Sequence, residues 1–314
     1  MHVVDGAEVS RVLTFPLLIA AMEAAHRRPK AEVLDGFLGS EKEQYVIRSA
    51  VERGRYMASK MFTSFPANLS DGKLPAVQAV CVLFDGTNGR PLAVIDGTVI
   101  THWRTAADSA LGAKFLASEN PEVLLVVGAG EMAQWLVRSH RTVRPSLRRV
   151  LIWNRTPARA STLVGRLRED GIEAEAIADL EAATRLADVI TTCTRSHEPL
   201  IKGANLRAGA HLDLVGGYTP QTREADDEAA RRARVFVDRR ESAFHGVGDI
   251  LQPIASGAIR EADVLGDLYD LAGGAAGRLS PAGITLFKNA GGGHLDLMTC
   301  ELVFEQLAGA RSIA

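Results

Sequence analysis

Residues 122–136 read EVLLVVGAGEMAQWL, and residues 148–160 read RRVLIWNRTPARA. The first stretch is an apolar run, a glycine turn and the opening of a helix; the second brings another strand and another helix. Gly128, Ala129, Gly130, Glu131, Met132 and Ala133 spell G-x-G-x-x-A. In that pattern the first glycine permits a tight turn and the second lets the backbone approach a pyrophosphate. A small third residue allows close helix–strand packing, and the helix N-terminus presents its free N–H groups to the phosphates. A lone match of this kind carries little weight. Here it follows a strand and opens a helix inside a βαβ unit, which is the context a dinucleotide site requires.

A site of this kind for NAD ends its second strand with an acid, which holds the ribose hydroxyls and would repel a 2′-phosphate. Asn154, Arg155 and Thr156 stand there instead, with Arg159 one helical turn further on. A planar guanidinium suits a phosphate monoester through two parallel hydrogen bonds. The expected cofactor is therefore NADPH, with NADH as the weaker alternative. A solvated basic helix start is the competing reading of the same arginines.

Working outward, strands are expected at 123–127, 149–153, 174–177, 188–193, 210–215 and 234–238, with helical stretches between most of them. Such alternation implies a parallel sheet covered on both faces. Upstream, the first hundred residues read as a helix followed by strands. AEVLDGFLGSEKEQYVIRSAV (31–51) has strand-turn-strand texture, and YMASKMFTSFPAN (56–68) and LPAVQAVCVLFD (74–85) follow as strands. DGTNGR (85–90) is a hairpin turn leading into PLAVIDGTVIT (91–101). RTAADSALGAKFLAS (104–118) is helical in spacing, and Asn120-Pro121 breaks the chain at a domain boundary. The last stretch, 284–310, begins as a strand, passes a glycine run and ends as a helix.

Lysine plus arginine (36) nearly balance aspartate plus glutamate (38), so nothing points to a nucleic-acid partner. Cys81, Cys193 and Cys300 lie far apart, without CxxC or metal-ligand spacing, and read as reduced thiols; no metal is expected. VLTFPLLIAAMEAA (12–25) follows Asp5 and Glu8 instead of a basic cluster, and Pro16 and Glu23 interrupt it. It reads as an amphipathic helix, not a signal peptide, and no run reaches membrane-spanning length. The expectation is a soluble, cytoplasmic protein without a membrane partner.

Six segments then occur in one order: KMFTSFPAN (60–68), GRPLAVIDGTVITHWRTAADSA (89–110), VVGAGEMAQ (126–134), LIWNRT (151–156), DLVGGYTPQTREAD (213–226) and ITLFKNAGGGHLDL (284–297). Together they resemble the ornithine cyclodeaminase/mu-crystallin family over nearly the whole chain. The resemblance implies a Rossmann-type doubly wound parallel α/β sheet, residues 120–288. That sheet is inserted into an α+β substrate-binding and dimerisation domain, residues 1–119 plus 289–314, so that a homodimer is expected. It places Lys60 against the substrate carboxylate or imine, makes Arg104 of the RTAA motif a carboxylate clamp, and brings Arg48 in as a second arginine. Thr105, Gly216 and Tyr218 join the cofactor-binding set. His294, after the glycine run, is a candidate proton donor beside Lys60; His102 is a weaker one. Asp296 reads as an acid at a helix N-terminus.

One departure from the family pattern bears on the chemistry. Cyclodeaminases carry an aspartate just after the paired glycine of this motif, where it serves the amine; here Tyr218 follows Gly216-Gly217. A phenol with an ordinary pKa of about 10 is a poor base for an ammonium at neutral pH. An imine can arrive protonated, ready for hydride. The pattern G-G-Y-T-P resembles the pyrroline-carboxylate and ketimine reductase branches. The expected reaction is NADPH-dependent reduction of Δ1-pyrroline-2-carboxylate or Δ1-piperideine-2-carboxylate to proline or pipecolate. NAD-dependent amino-acid dehydrogenation or ornithine cyclodeamination on the same scaffold is one alternative. A protein that holds NADP and a ligand without significant turnover is another.

Overall fold

The computed structural model describes residues 1–40, 42–68 and 74–311, which form two compact units. Met1–Thr105 with Gly292–Ala314 make the first, and Ala106–Gly291 the second. The upstream junction falls inside a continuous helix, Gly97–Leu116, and not at Asn120-Pro121. The downstream junction falls at Gly291/Gly292, three residues beyond the expected 288/289.

The first unit holds a six-stranded sheet among the described residues. Its strands are β1 (His2–Val4), β2 (Glu32–Ser40), β3 (Glu43–Glu52), β4 (Tyr56–Ser64), β5 (Val77–Asp85) and β6 (Pro91–Asp96). They run in the order β1-β6-β5-β4-β3-β2, antiparallel except where β1 joins β6. Alternation sets the buried face: Val46 and Ala50 from β3, Ala58 and Lys60 from β4, Cys81 and Leu83 from β5, Ala93 and Ile95 from β6. The helix Gly293–Arg311 packs on β3 and β4. Its first residue must be glycine, because a Cβ there would come 2.7 Å from the Ser49 carbonyl oxygen. The helix Phe15–His26 packs on that helix in turn, and Arg28, two residues past its end, grips Glu301 with two hydrogen bonds of 3.1 and 3.0 Å.

One expectation fails here for a visible reason. PLAVIDGTVIT is not a strand throughout: β6 stops at Asp96, and Gly97 opens the helix. The run Thr98-Val99-Ile100-Thr101 is β-branched and favours strand, yet Asp96 Oδ1 accepts from the N–H groups of Thr98 (2.9 Å) and Val99 (3.1 Å). That N-terminal cap outweighs the local preference.

The second unit is a parallel sheet of eight strands among the described residues. They are β7 (Val123–Val127), β8 (Arg149–Trp153), β9 (Ala174–Ala176), β10 (Val189–Thr192), β11 (His211–Leu214), β12 (Ala233–Val237), β13 (Val264–Gly266) and β14 (Ile284–Lys288), in the order β13-β12-β14-β11-β10-β7-β8-β9. The strand order reverses between β7 and β10, as in a Rossmann-type fold. Both faces are covered, which is why VLLVV (123–127) and VLIW (150–153) are apolar without a break. Leu125 and Val127 enter one hydrophobic layer, Leu124 and Val126 the other. The six strands expected from sequence all appear, within one residue at each end; the short β1 and β13 were not foreseen. Among the described residues no single helix is long and apolar enough to cross a membrane.

Candidate functional site

In the first unit, β4 turns Lys60 to the buried face, where only 1% of it is exposed. Arg48 on β3 and Cys81 on β5 are its direct partners in the ladders on either side. Lys60 Nζ donates to Asp296 Oδ1 at 2.8 Å and to Thr101 Oγ1 at 3.2 Å. Thr101 donates its own proton to the Gly97 carbonyl, leaving its lone pairs to the lysine. Three residues along the same helix, Arg104 Nε stands 3.3 Å from Asp296 Oδ1. Burial pushes the Lys60 ammonium below the ordinary lysine range; Asp296 opposes that shift, while Arg104 and Arg48 add to it. Arg48 lies 3.7 Å from Asp35 on β2.

Two cations thus share one fully buried carboxylate. A guanidinium in such a place can clamp a small carboxylate through two hydrogen bonds, and a lysine whose ammonium is disfavoured by burial gives up its proton more readily than an exposed one. Lys60 and Arg104 are brought together on Asp296. Asp296 does stand in the first turn of its helix, but it also faces Lys60, 236 residues earlier in the chain. His294, two residues before Asp296, is buried with its ring edge-on to His26 at 6.0 Å. His102 is half-buried on the helix Gly97–Leu116, and Thr105 is buried there beside Arg104. Cys81 and Cys300, distant in sequence, meet here: the hydrogen bond that Cys300 donates to Cys81, together with burial, holds the Cys300 thiol well above its usual range.

In the second unit, Gly128 takes a φ of +113°, and its N–H donates to the Trp153 carbonyl at 2.8 Å. The turn matches the glycine pattern physically. Gly130 caps the helix Glu131–Val143 without any side-chain bond, which leaves the first N–H groups of that helix open to an anion. Ala133 is fully buried against the sheet, while Glu131 is exposed and accepts from Gln134. Met132 lies in the same first turn. Asn154 links the two turns: its Oδ1 accepts from the Ala129 N–H at 3.2 Å and its Nδ2 donates to the Thr156 carbonyl at 3.0 Å. Arg155, Thr156 and Arg159 are exposed at the start of the helix Pro157–Glu169. Among the described residues neither arginine is paired with an acid.

The loop after β11 is held from behind. Glu224, fully buried, accepts from the N–H of Gly216 (2.6 Å), the N–H of Thr194 (2.6 Å) and the hydroxyls of Thr192 and Thr194. Asp249 accepts from the Glu224 N–H at 2.7 Å and from Lys288 Nζ at 2.9 Å. The paired glycines follow from this packing, since a Cβ on Gly217 would lie 2.1 Å from an Asp249 oxygen. Tyr218 is 47% exposed, with the Arg195 guanidinium 5.8 Å above its ring. Neither Glu224 nor Asp249 stands out in the sequence, since no local pattern marks either as a partner of this loop. Among the described residues no cluster of His, Cys, Asp or Glu is arranged for a metal ion.

A Rossmann-type sheet with an open glycine cradle, in one chain with a unit that buries a lysine–arginine–aspartate cluster, defines the class as an α/β protein of the dinucleotide-binding fold. Residues 40–311 match the ornithine cyclodeaminase/mu-crystallin family, and the chain belongs to it. It is 44% identical to the Δ1-pyrroline-2-carboxylate reductase of Paracoccus denitrificans, over 93% of this chain and 92% of that one. Among solved structures it resembles the Δ1-pyrroline-2-carboxylate reductase of Thermococcus litoralis in complex with NADH and L-proline. That match has a TM-score of 0.93 and 28% identity, and covers 99% and 98% of the two chains. An archaeal alanine dehydrogenase dimer with bound NAD follows at a TM-score of 0.91 and 30% identity, covering 99% and 97%.

Proposed function

We propose that this protein is a nicotinamide-dependent oxidoreductase acting on C=N bonds, and that it reduces a cyclic imino acid, Δ1-pyrroline-2-carboxylate or Δ1-piperideine-2-carboxylate, to proline or pipecolate. The observation that carries this reading is the buried Lys60–Asp296–Arg104 cluster, combined with a tyrosine at position 218. Relatives named for pyrroline-2-carboxylate reduction support it.

A bound nicotinamide would supply the hydride, and the glycine cradle 128–130 with the open helix start would hold its pyrophosphate. Arg104, with Arg48, would bind the substrate carboxylate. Lys60 would protonate the imine nitrogen and so make its carbon electrophilic. Tyr218 has no acid–base step in this scheme, and His294 remains an alternative proton source. NADPH is the proposed cofactor, because Arg155, Thr156 and Arg159 offer a cation and a hydroxyl where an acid would repel the 2′-phosphate. NADH would serve less well, although the Thermococcus relative was solved with it. We read the protein as a cytoplasmic homodimer. Leu34, Phe37 and Leu38 support the dimer, being strongly exposed on the edge strand β2, and the archaeal dehydrogenase is itself a dimer.

The likeness to that dehydrogenase favours a second reading, NAD-dependent amino-acid dehydrogenation. One screen separates the two: NADPH and NADH oxidation with five- and six-membered cyclic imines, linear 2-oxo acids plus ammonia, and ornithine as a cyclodeamination control. Faster turnover of the linear 2-oxo acids than of the imines would replace the proposed reaction by dehydrogenation. Absence of any turnover would leave ligand binding alone.

A further inference from the structure

We propose that Asp296 is the group that receives the substrate nitrogen: one of its oxygens holds Lys60 and faces Arg104, while the other accepts the N–H of a cyclic iminium and of the secondary amine it becomes. This deepens the imine-reductase reading and rests on it.

The argument starts from hydrogen-bond capacity. Asp296 is 1% exposed, and its Oδ1 carries both cation contacts. Its Oδ2 is buried and accepts no hydrogen bond from any described residue. A carboxylate oxygen without donors is rare in a folded interior and costly to keep. Lys60 shows the complementary surplus: its ammonium has three N–H groups, and two are engaged, by Asp296 and Thr101. One residue pair therefore offers a proton donor and an anionic acceptor side by side.

A cyclic imine needs both in turn. The Lys60 N–H bond breaks as the imine N–H bond forms, leaving a neutral lysine and an iminium whose N–H points to Asp296 Oδ2. A bound nicotinamide would supply the hydride that reduces the C=N carbon by two electrons, itself being oxidised, and Lys60 would recover its proton from solvent. The charges fit. Lys60 and Arg104 against Asp296 leave one positive charge for one substrate carboxylate, with Arg48 set against Asp35, and moving the proton from Lys60 to the ring nitrogen leaves the charge of protein and substrate together unchanged. Arg48 on β3 and the thiols of Cys81 and Cys300 also face Lys60.

Pyrrole-2-carboxylate and furan-2-carboxylate test this, being planar five-membered carboxylates that differ in N–H against O. Binding of each to the NADPH-loaded protein would be measured by thermal shift and by competition with imine reduction. The unmodified protein should prefer the pyrrole by roughly tenfold or more, the scale of a hydrogen bond to a charged group. Asp296→Asn, which places an amide where the carboxylate stood, should bring the two within about twofold while NADPH fluorescence still reports a loaded cofactor site. An N–H preference that survives in Asp296→Asn would overturn the proposal. So would its absence from the unmodified protein, a result that needs no variant to fold. If NADPH binds but neither carboxylate does, the imine-reductase reading fails with it.

Discussion

Arg48 and Lys60 face each other across the antiparallel ladder between β3 and β4, with Cys81 completing the row from β5. Two cations side by side on a buried sheet face repel, and Asp296 is the anion that keeps the lysine tolerable there. The row is arranged for an incoming negative charge, and that gives the first prediction.

Arg104→Ala should raise KM for the imino acid by about ten- to hundredfold, the range expected for a charge-assisted hydrogen-bond partner. Lys60→Ala should instead depress kcat, by about a hundredfold or more if it is the proton donor. Steady-state kinetics at saturating NADPH separate the two effects. Equal changes in KM and kcat for both variants would mean that they do not divide the work.

Arg155→Ala should weaken NADPH by roughly ten- to hundredfold and leave NADH kinetics nearly unchanged, because only one cofactor carries the phosphate. The check is kcat/KM for both cofactors in both proteins. Equal efficiency with the two cofactors before mutation would remove the basis for the preference.

Tyr218→Phe should alter kcat by about twofold or less, since the proposed scheme gives its hydroxyl no proton to move. Tyr218→Asp should not release ammonia from ornithine at a useful rate. Ammonia release rivalling imine reduction would mean that residue 218 alone selects the reaction.

Asp238 carries a pH prediction. Burial lifts its pKa to about 6, even though it accepts from the N–H groups of Arg239 and Gly291. An unfolded aspartate titrates near 3.9. With the folded value the higher, the stability contribution is complete below about 4 and is lost as pH rises through about 6. Asp238→Asn cannot lose that proton. The stability of the unmodified protein relative to the variant should fall between pH 4.5 and 7, by at most about 3 kcal/mol. Unfolding curves at the two pH values test it, and a constant difference would contradict the assignment.

The legible and illegible parts of this molecule divide along physical lines. The strands β7 and β8 were readable because a parallel strand covered on both faces is apolar throughout, and Gly128 because only glycine suits its φ of +113°. Lys60 and Arg104 were legible through their motifs. Asp296 was seen only as a helix-start acid, because its meeting with Lys60 depends on how the last helix docks on β3 and β4. No local pattern encodes that docking. Glu224 escaped notice for the same reason: its partners, Thr192, Thr194 and Gly216, come from the ends of two other strands. The helix start at Gly97 is not legible locally, because four β-branched residues favour strand while the cap that decides it rests on two hydrogen bonds accepted by the Asp96 side chain.

The place of β14 has a consequence for how the molecule is made. It lies between β11 and β12, although both are synthesised before it. The next helix supplies the counter-ion of Lys60. A chain leaving the ribosome N-terminus first therefore carries a gap in the middle of one sheet and an unneutralised lysine in the other until residues 284–296 emerge. The second unit can close only once β14 has emerged, and the first only once the helix after it has, so a premature stop before Ile284 would disable both at once.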